Sequence, residues 1–335
     1  MTSGTMPAVV VRAQAVRGEW NEVGVETVAI PALDAARALV QVEACSVNRA
    51  DLLQRRGLYP PPPGASEVLG LDFAGFVVEA PDGRALKAGD RVFGIVAGGG
   101  YGRYVAVPVE HLVKIPENLS FVEAAAAAEV FFTAWFNLFA EAGMKAGDTV
   151  LVHGGASGVG TAAIQLCSSA GARAIITAGS DEKVRRAIDL GAYAGINYKS
   201  RDFADPVMEL TGGGGVDIIL DCIGAAYLSR HLDVLHTRGR LVLIGLMGGG
   251  SGQINLVPLL TKRLKIIGSV LRSQSPEEKA QITRGFITSV LPLLESGRVR
   301  PVIDRIFPVS EVEEAHRYMR AGEHFGKIVL TWKSF

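Results

Sequence analysis

Through the first 125 residues the apolar positions come in short runs: Ala8 to Arg12, Val23 to Ile30, Ala38 to Ala44, Val68 to Glu79, Arg91 to Val96 and Gly102 to Pro108. Gly, Pro or Asp turns separate them, and short β-type runs broken that often predict a compact, mostly antiparallel β-rich domain. Two segments interrupt the pattern. Asn48 to Tyr59 reads as one or two helical turns stopped by Gly57, and the four prolines Pro60 to Pro63 then stiffen the chain beside Tyr59. Ser120 to Ala140 carries an alanine run and aromatics at helical spacing, which predicts a core helix with Glu129 and Thr133 on one face.

The period changes after that. Thr149 to His153, Arg173 to Thr177, Gly195 to Asn197, Val216 to Cys222, Arg240 to Ile244 and Leu264 to Val270 are apolar strands, and helical segments lie between them. Strands alternating with helices at this spacing predict a parallel sheet covered on both faces. Beyond it, Ser275 caps a helix that runs to about Leu294, and Arg305 to Pro308, Ser310 to Arg320 and Lys327 to Thr331 read as strand, helix and strand. The last strand is expected to rejoin the first domain. The chain is therefore expected to be α/β, with a β-rich domain over 1–125 and 295–335 and a doubly wound domain over 126–294.

The turn after the strand Thr149 to His153 holds four glycines in seven residues, Gly154 to Gly160. A strand feeding a helix through such a turn aims backbone N–H groups and the helix dipole at a phosphate. The dinucleotide fingerprint G-x-G-x-x-G fits Gly155-Ala156-Ser157-Gly158-Val159-Gly160 except that Ser157 takes the second glycine slot. Its place as the first turn of the alternating unit supports a dinucleotide. The second strand ends in Ala178-Gly179-Ser180 with no acid at its tip to hold a ribose 2′-hydroxyl, and Asp181 is placed as a helix cap. The missing acid, the small Ser180 and the basic Lys183 suit a 2′-phosphate, so the expected cofactor is NADP(H). Tyr198 ends the third strand.

Bulk composition narrows the field further. The 335 residues suit two domains, and 34 basic against 34 acidic residues give no electrostatic case for nucleic acid or an acidic membrane surface. Cys45, Cys167 and Cys222 are scattered and odd in number, which predicts neither a disulfide framework nor a zinc cluster. No stretch is read as a membrane span or a signal h-region, so a soluble, cytoplasmic protein is expected. The first five residues are expected to be disordered.

The chain resembles the medium-chain dehydrogenase/reductase family in its quinone oxidoreductase, zeta-crystallin-like branch. The resemblance covers nearly the whole length and is carried by Asn48-Arg49-Ala50-Asp51-Leu52, Pro61 to Ser66, Leu69-Gly70-Leu71, Ser157 to Leu166, Thr177 to Ser180, Leu220 to Gly224, Gly245 to Gly250 and Gly326 to Leu330. It implies a GroES-like β-rich domain joined to a Rossmann domain. Related alcohol dehydrogenases hold zinc by cysteine, histidine and cysteine, and the matching positions here are Asn48, Leu71 and Glu129. The resemblance thus implies a zinc-free, NADPH-dependent reductase of quinones, which accept electrons without help from a Lewis acid.

It also implies roles for particular residues. Asn48 and Thr133 would sit near the nicotinamide, Tyr59 would be the active-site tyrosine, and Ser157 would touch the cofactor. Ser180, Lys183 and Tyr198 would hold the 2′-phosphate. Leu246, Met247, Leu271 and Lys327 would line the nicotinamide end. Leu53 stands where some bacterial relatives carry a second tyrosine. Phe73 and Phe131 are candidate pocket walls with Tyr59. The alternatives are an enone reductase on the same fold and a cofactor-binding structural protein of crystallin type. The apolar strand at 264–270 is expected to be a sheet edge through which a homodimer forms.

Overall fold

The two sheets bury their strands differently, as the two sequence periods require. In a computed structural model describing residues 4–12, 16–82 and 86–332, Tyr104–Pro108 alternates half-buried and buried positions, whereas every residue of Thr149–Val152 is buried. The first pattern belongs to a strand with one solvated face, the second to a parallel strand covered on both. The chain forms two compact units: Met1–Phe132 with Leu271–Phe335, and Thr133–Val270 inserted between them.

The first unit is built on a seven-stranded sheet. Its path runs Ile303–Pro308, Lys327–Thr331, Arg37–Ser46, Asp72–Glu79, Arg91–Ile95 and Val113–Lys114, with Tyr104–Pro108 also paired to Arg37–Ser46. Lys327–Thr331 pairs antiparallel with Arg37–Ser46, so the chain end does return to the N-terminal sheet. Val40, Val42, Phe73, Tyr101, Ile328 and Leu330 belong to its core. Fully burying aliphatic or aromatic side chains of this kind stabilises by roughly 1.5–3 kcal/mol each. A separate hairpin pairs Thr5–Val11 with Val23–Ala29. Its first strand starts at Thr5, so the expected disorder of the first five residues fails there; residues 1–3 lie outside the described residues.

The second unit carries six parallel strands in the spatial order Ala194–Asn197, Arg173–Ala178, Thr149–Val152, Val216–Asp221, Leu235–Leu243 and Lys265–Gly268. Numbered along the chain this is 3-2-1-4-5-6, the doubly wound order of dinucleotide-binding folds. The strand order reverses beside Thr149–Val152, so the glycine turn lies at the switch point where such sheets bind ligands.

Four expectations need correction. The compact units divide after Phe132 and Val270, not at 125/126 and 294/295. The reason is side-chain packing: Phe132 stacks on Phe286 with centroids 3.9 Å apart, His111 Nε2 hydrogen-bonds the Pro276 carbonyl, and Asn118 donates to the Leu294 carbonyl. The expected helix to Leu294 is two, Pro276–Ser289 and Leu291–Glu295, because Pro292 cannot continue the first. Phe121–Glu141 is one continuous helix, long and apolar enough to cross a membrane, against the expectation that no stretch is. Of its most apolar 18-residue stretch 72% is buried within the protein, as in a core helix. Phe73 and Phe131 are completely buried, so neither walls an open pocket.

Candidate active site

Each unit gathers some of the expected site residues. In the second, the turn after Thr149–Val152 is shaped by close backbone approach. Gly154 adopts φ +69°, and a Cβ on Gly155 would stand 2.5 Å from the Ile176 Cβ. A Cβ on Gly160 would collide with the Gly154 carbonyl. The helix begins at Gly158, and Ser157 is its N-cap: its Oγ accepts from the Gly160 N–H at 3.0 Å. Ser157 serves here as the helix cap, and the first-turn N–H groups of the 12-residue helix Gly158–Ser169 are of the kind that can hold an anion. Ala156 is buried under this turn and Val159 half-buried.

The next turn of the same sheet gathers the expected 2′-phosphate residues. Ser180, not Asp181, caps the helix Asp181–Asp189, its side chain accepting from the Lys183 N–H at 3.2 Å. The Asp181 carboxylate instead accepts from Asn197 Nδ2 at 2.9 Å, which turns the nearest acid to a neighbour. A Cβ on Gly179 would lie 2.8 Å from the Tyr198 hydroxyl, so the half-exposed Tyr198 lies across this turn. Leu246 and Met247 are 57% and 59% exposed, a large apolar surface for a loop with no core to join. Thr133 is buried, and its carbonyl accepts from Asn137.

Behind the glycine turn lies a buried cluster that sequence reasoning missed. His153 Nε2 and His231 Nε2 are 2.9 Å apart, His153 Nδ1 meets Thr177 Oγ1 at 3.0 Å, and Asp221 stands within 3.9 Å of His231. Burial lowers both imidazoles, His231 to about 3, so one shared hydrogen joins two neutral rings. Asp221 accepts from the N–H groups of Ile223 and Gly224 and fixes the turn after its strand. The His231 pairing is not visible in the sequence, since 78 residues separate it from His153.

In the first unit, Asn48 and Lys327 are brought together directly. Lys327 Nζ donates to Asn48 Oδ1 at 2.7 Å and to the Val47 carbonyl at 2.8 Å. Asn48 Nδ2 donates to the Ser46 carbonyl at 3.1 Å and to Asp72 Oδ2 at 2.7 Å. Both amide hydrogens and the amide oxygen are therefore engaged, so Asn48 orients Lys327 rather than offering a donor of its own. Lys327 keeps one N–H beyond those two bonds.

The short helix Arg49–Gln54 begins at Asn48, whose N–H donates to Asp51 Oδ2 at 2.8 Å. The spacing Asn48-x-x-Asp51 is a capping signal that could have singled out Asp51. Tyr101 also donates to Asp51, at 2.9 Å, while Asp51 Oδ1 has no partner. Burial pushes this carboxyl up to about 7. In the unfolded chain the value returns to 3.8. The folded state thus holds a proton that the unfolded state loses first, so the stability Asp51 contributes is present below that value and is lost as pH rises through about 7. The melting temperature of Asp51→Asn relative to the unaltered protein should therefore climb between about pH 4 and pH 7 and level off above that. A difference that stays flat or falls over that range contradicts the assignment.

Tyr59 is half-buried, and burial raises its phenol above the ordinary value while the Arg272 guanidinium pulls it back. Arg272 Cζ lies 4.9 Å from the Tyr59 ring centroid. Sequence reasoning singled out Tyr59 and Leu271 but not Arg272, whose partners Ala97, Tyr59 and Gln54 are 175, 213 and 218 residues away. No short motif marks such a residue.

Comparison with known proteins agrees with this architecture. Residues 34–117 match the family described as the alcohol dehydrogenase GroES-like domain, and residues 158–285 match the zinc-binding dehydrogenase family. The quinone oxidoreductase of Lama guanicoe is 35% identical over 311 residues, covering 91% of this chain and 92% of its own. Among solved structures, an NAD-dependent alcohol dehydrogenase is 32% identical with a TM-score of 0.85, covering 98% of this chain and 100% of its own. The CurK enoyl reductase is 27% identical with a TM-score of 0.84, covering 97% and 98%.

Proposed function

The chain belongs to the medium-chain dehydrogenase/reductase family as an oxidoreductase that binds a nicotinamide dinucleotide, and from that premise we propose that it is a metal-free, NADPH-dependent quinone reductase. The observation that carries the reading is the pair of turns at the sheet's carboxyl edge, Gly155–Gly160 for the pyrophosphate and Ser180, Lys183 and Tyr198 for a 2′-phosphate. With Asp181 bonded to Asn197, the acid that would select a free 2′-hydroxyl is missing from that tip. NADPH supplies the reducing equivalents when bound; the protein holds it, orients the acceptor and keeps water away. In the second unit Thr133, Leu246 and Met247 are proposed cofactor residues; in the first, Leu271 and Lys327 are proposed cofactor residues and Tyr59 a donor to a quinone oxygen.

Lys183→Ala should weaken NADPH by about 10- to 100-fold, the loss of one charge-assisted contact, and leave NADH nearly unchanged. Titration of both cofactors against the two proteins reads this. Equal losses for the two would remove Lys183 from the 2′-phosphate site.

The zinc named in one matching family does not suit the residues present. Asn48 spends its amide on Ser46, Asp72 and Lys327, and Leu71 offers only hydrocarbon. A borderline-soft cation that prefers thiolate and imidazole finds neither at these positions. A quinone suits such a site, because its reduced oxygens delocalise charge that a simple alkoxide would concentrate.

The likeness to an enoyl reductase supports a second reading, reduction of an activated carbon–carbon double bond. Product analysis separates them: hydroquinone formed from an ortho-quinone supports the first, a saturated ketone from an enone the second. Tight NADPH binding without turnover of either would favour a structural role.

A homodimer is proposed through the edge strand Lys265–Gly268, which pairs on one side only with Leu235–Leu243. Ile266 is exposed there, and Leu256, Val257 and Leu260 on or beside the helix Val257–Thr261 are 60% or more exposed. That much bare hydrocarbon next to an unpaired strand marks an interaction surface. Leu260→Asp should shift sedimentation from dimer to monomer; a monomer before the substitution would refute the proposal.

A further inference from the structure

We propose that Arg272 is the residue that takes up the negative charge developing on the acceptor oxygen during reduction, the task a metal performs in zinc-dependent relatives. The proposal rests on the quinone-reductase reading and adds the residue that would make reduction without zinc efficient.

Four observations support it. Arg272 is only 7% exposed. Its guanidinium donates from Nε to the Ala97 carbonyl at 2.7 Å, from one terminal nitrogen to the Tyr59 carbonyl at 3.0 Å, and from the other to Gln54 Oε1 at 2.6 Å. All three acceptors are neutral, and among the described residues no carboxylate lies within ion-pair distance. A guanidinium has five N–H groups, so two remain beyond these contacts. Third, Arg272 Cζ lies over the Tyr59 ring, 4.9 Å from its centroid, which places the cation against the face of the expected active-site tyrosine. Fourth, Lys279 Nζ donates to the Arg272 carbonyl at 2.7 Å and helps hold its backbone in place.

A buried charge without a direct ion pair is costly; Asp51 and Glu67 act on Arg272 only from beyond contact distance, which leaves its free N–H groups for an anion that arrives or forms. A cation pre-set in a dry site also needs no reorganisation when charge appears on a reacting oxygen. NADPH, when bound, would supply the hydride that turns the quinone into a hydroquinone monoanion and would be left as NADP+, and one proton from solvent would complete the hydroquinone. Arg272 N–H groups hold the anionic oxygen before the proton arrives. Gln54 and the two carbonyls fix the fork, so the remaining N–H groups cannot swing away.

The test pairs turnover with anion binding. In Arg272→Met, which keeps the stem and removes the charge, kcat for an ortho-quinone should fall at least 100-fold while the NADPH dissociation constant changes less than threefold. Arg272→Lys should recover part of the loss, to within about tenfold to thirtyfold of the unaltered protein. Benzoate, an aromatic anion, should inhibit competitively with quinone and should lose at least tenfold in affinity in Arg272→Met. Unchanged kcat and unchanged benzoate affinity in a folded Arg272→Met would overturn the proposal and leave Arg272 a structural tie. If that variant fails to fold, Arg272→Lys decides: activity within about thirtyfold of the unaltered protein and retained benzoate affinity support a requirement for charge, and loss of both with no recovery by added guanidinium overturns it. Benzoate binding, read by tyrosine and tryptophan emission without turnover, separates failure here from failure of the quinone-reductase reading, which would show as no NADPH oxidation by the unaltered protein.

Discussion

Gly160→Val should lower NADPH affinity by at least about 100-fold, because the new Cβ has only backbone to meet. It would collide with the Gly154 carbonyl and the Gly155 backbone, neither of which can rotate aside as a side chain does. The turn must open, and with it the Ser157 cap and the helix N–H groups aimed at the pyrophosphate. Losing two charge-assisted hydrogen bonds at about 1.5–3 kcal/mol each accounts for a drop of that size. Gly268→Ala is the control, since a Cβ there meets nothing within 4 Å. Isothermal titration with NADPH reads both variants. A Gly160→Val protein that is folded and binds normally would dissociate the glycine turn from the cofactor.

Asp72→Ala should cost about 3–5 kcal/mol of stability, the scale for removing one partner from a buried charged network. Asp72 is completely buried and accepts from the Ser46 N–H, the Ser46 hydroxyl and Asn48 Nδ2. Without it those three donors face hydrocarbon, and Lys327 loses the carboxylate that offsets its charge. Asn48 would then be free to turn, so Lys327 would lose its fixed direction as well as its support. Urea unfolding followed by tryptophan emission measures the loss. A cost below 1 kcal/mol would mean that water or a local shift replaces the carboxylate.

What the sequence showed and what it hid divide by locality. The strands of both sheets were legible because each writes its period in consecutive residues, alternating in Tyr104–Pro108 and continuous in Thr149–Val152. The glycine turn was legible for the same reason. The break at Val290 was also written, in Pro292, but the apolar run through Leu294 outweighed it. Asp181 was misread as a cap because Ser180 and Asp181 are both good capping residues, and only the position of Asn197 decides between them. Phe73 and Phe131 were misread because an aromatic near a suspected pocket and an aromatic in a core look alike in sequence. Arg272, His231 and Asp72 act through partners far along the chain, and no local pattern encodes such partners.

The legible part fixes which class of cofactor binds; the hidden part bears on the chemistry. Lys327 and Arg272 are the two buried cations of the first unit tied to expected site residues, one to Asn48 and the other to Tyr59. Both are held by neutral oxygens rather than direct ion pairs, an arrangement suited to electron-rich ligands.

The most direct test is steady-state oxidation of NADPH and of NADH by an ortho-quinone, each with and without a strong metal chelator. Turnover with NADPH, kcat/KM at least tenfold lower with NADH, and no loss of rate with chelator are expected. Absence of NADPH oxidation by the quinone, or activity that chelation abolishes and zinc restores, would contradict it.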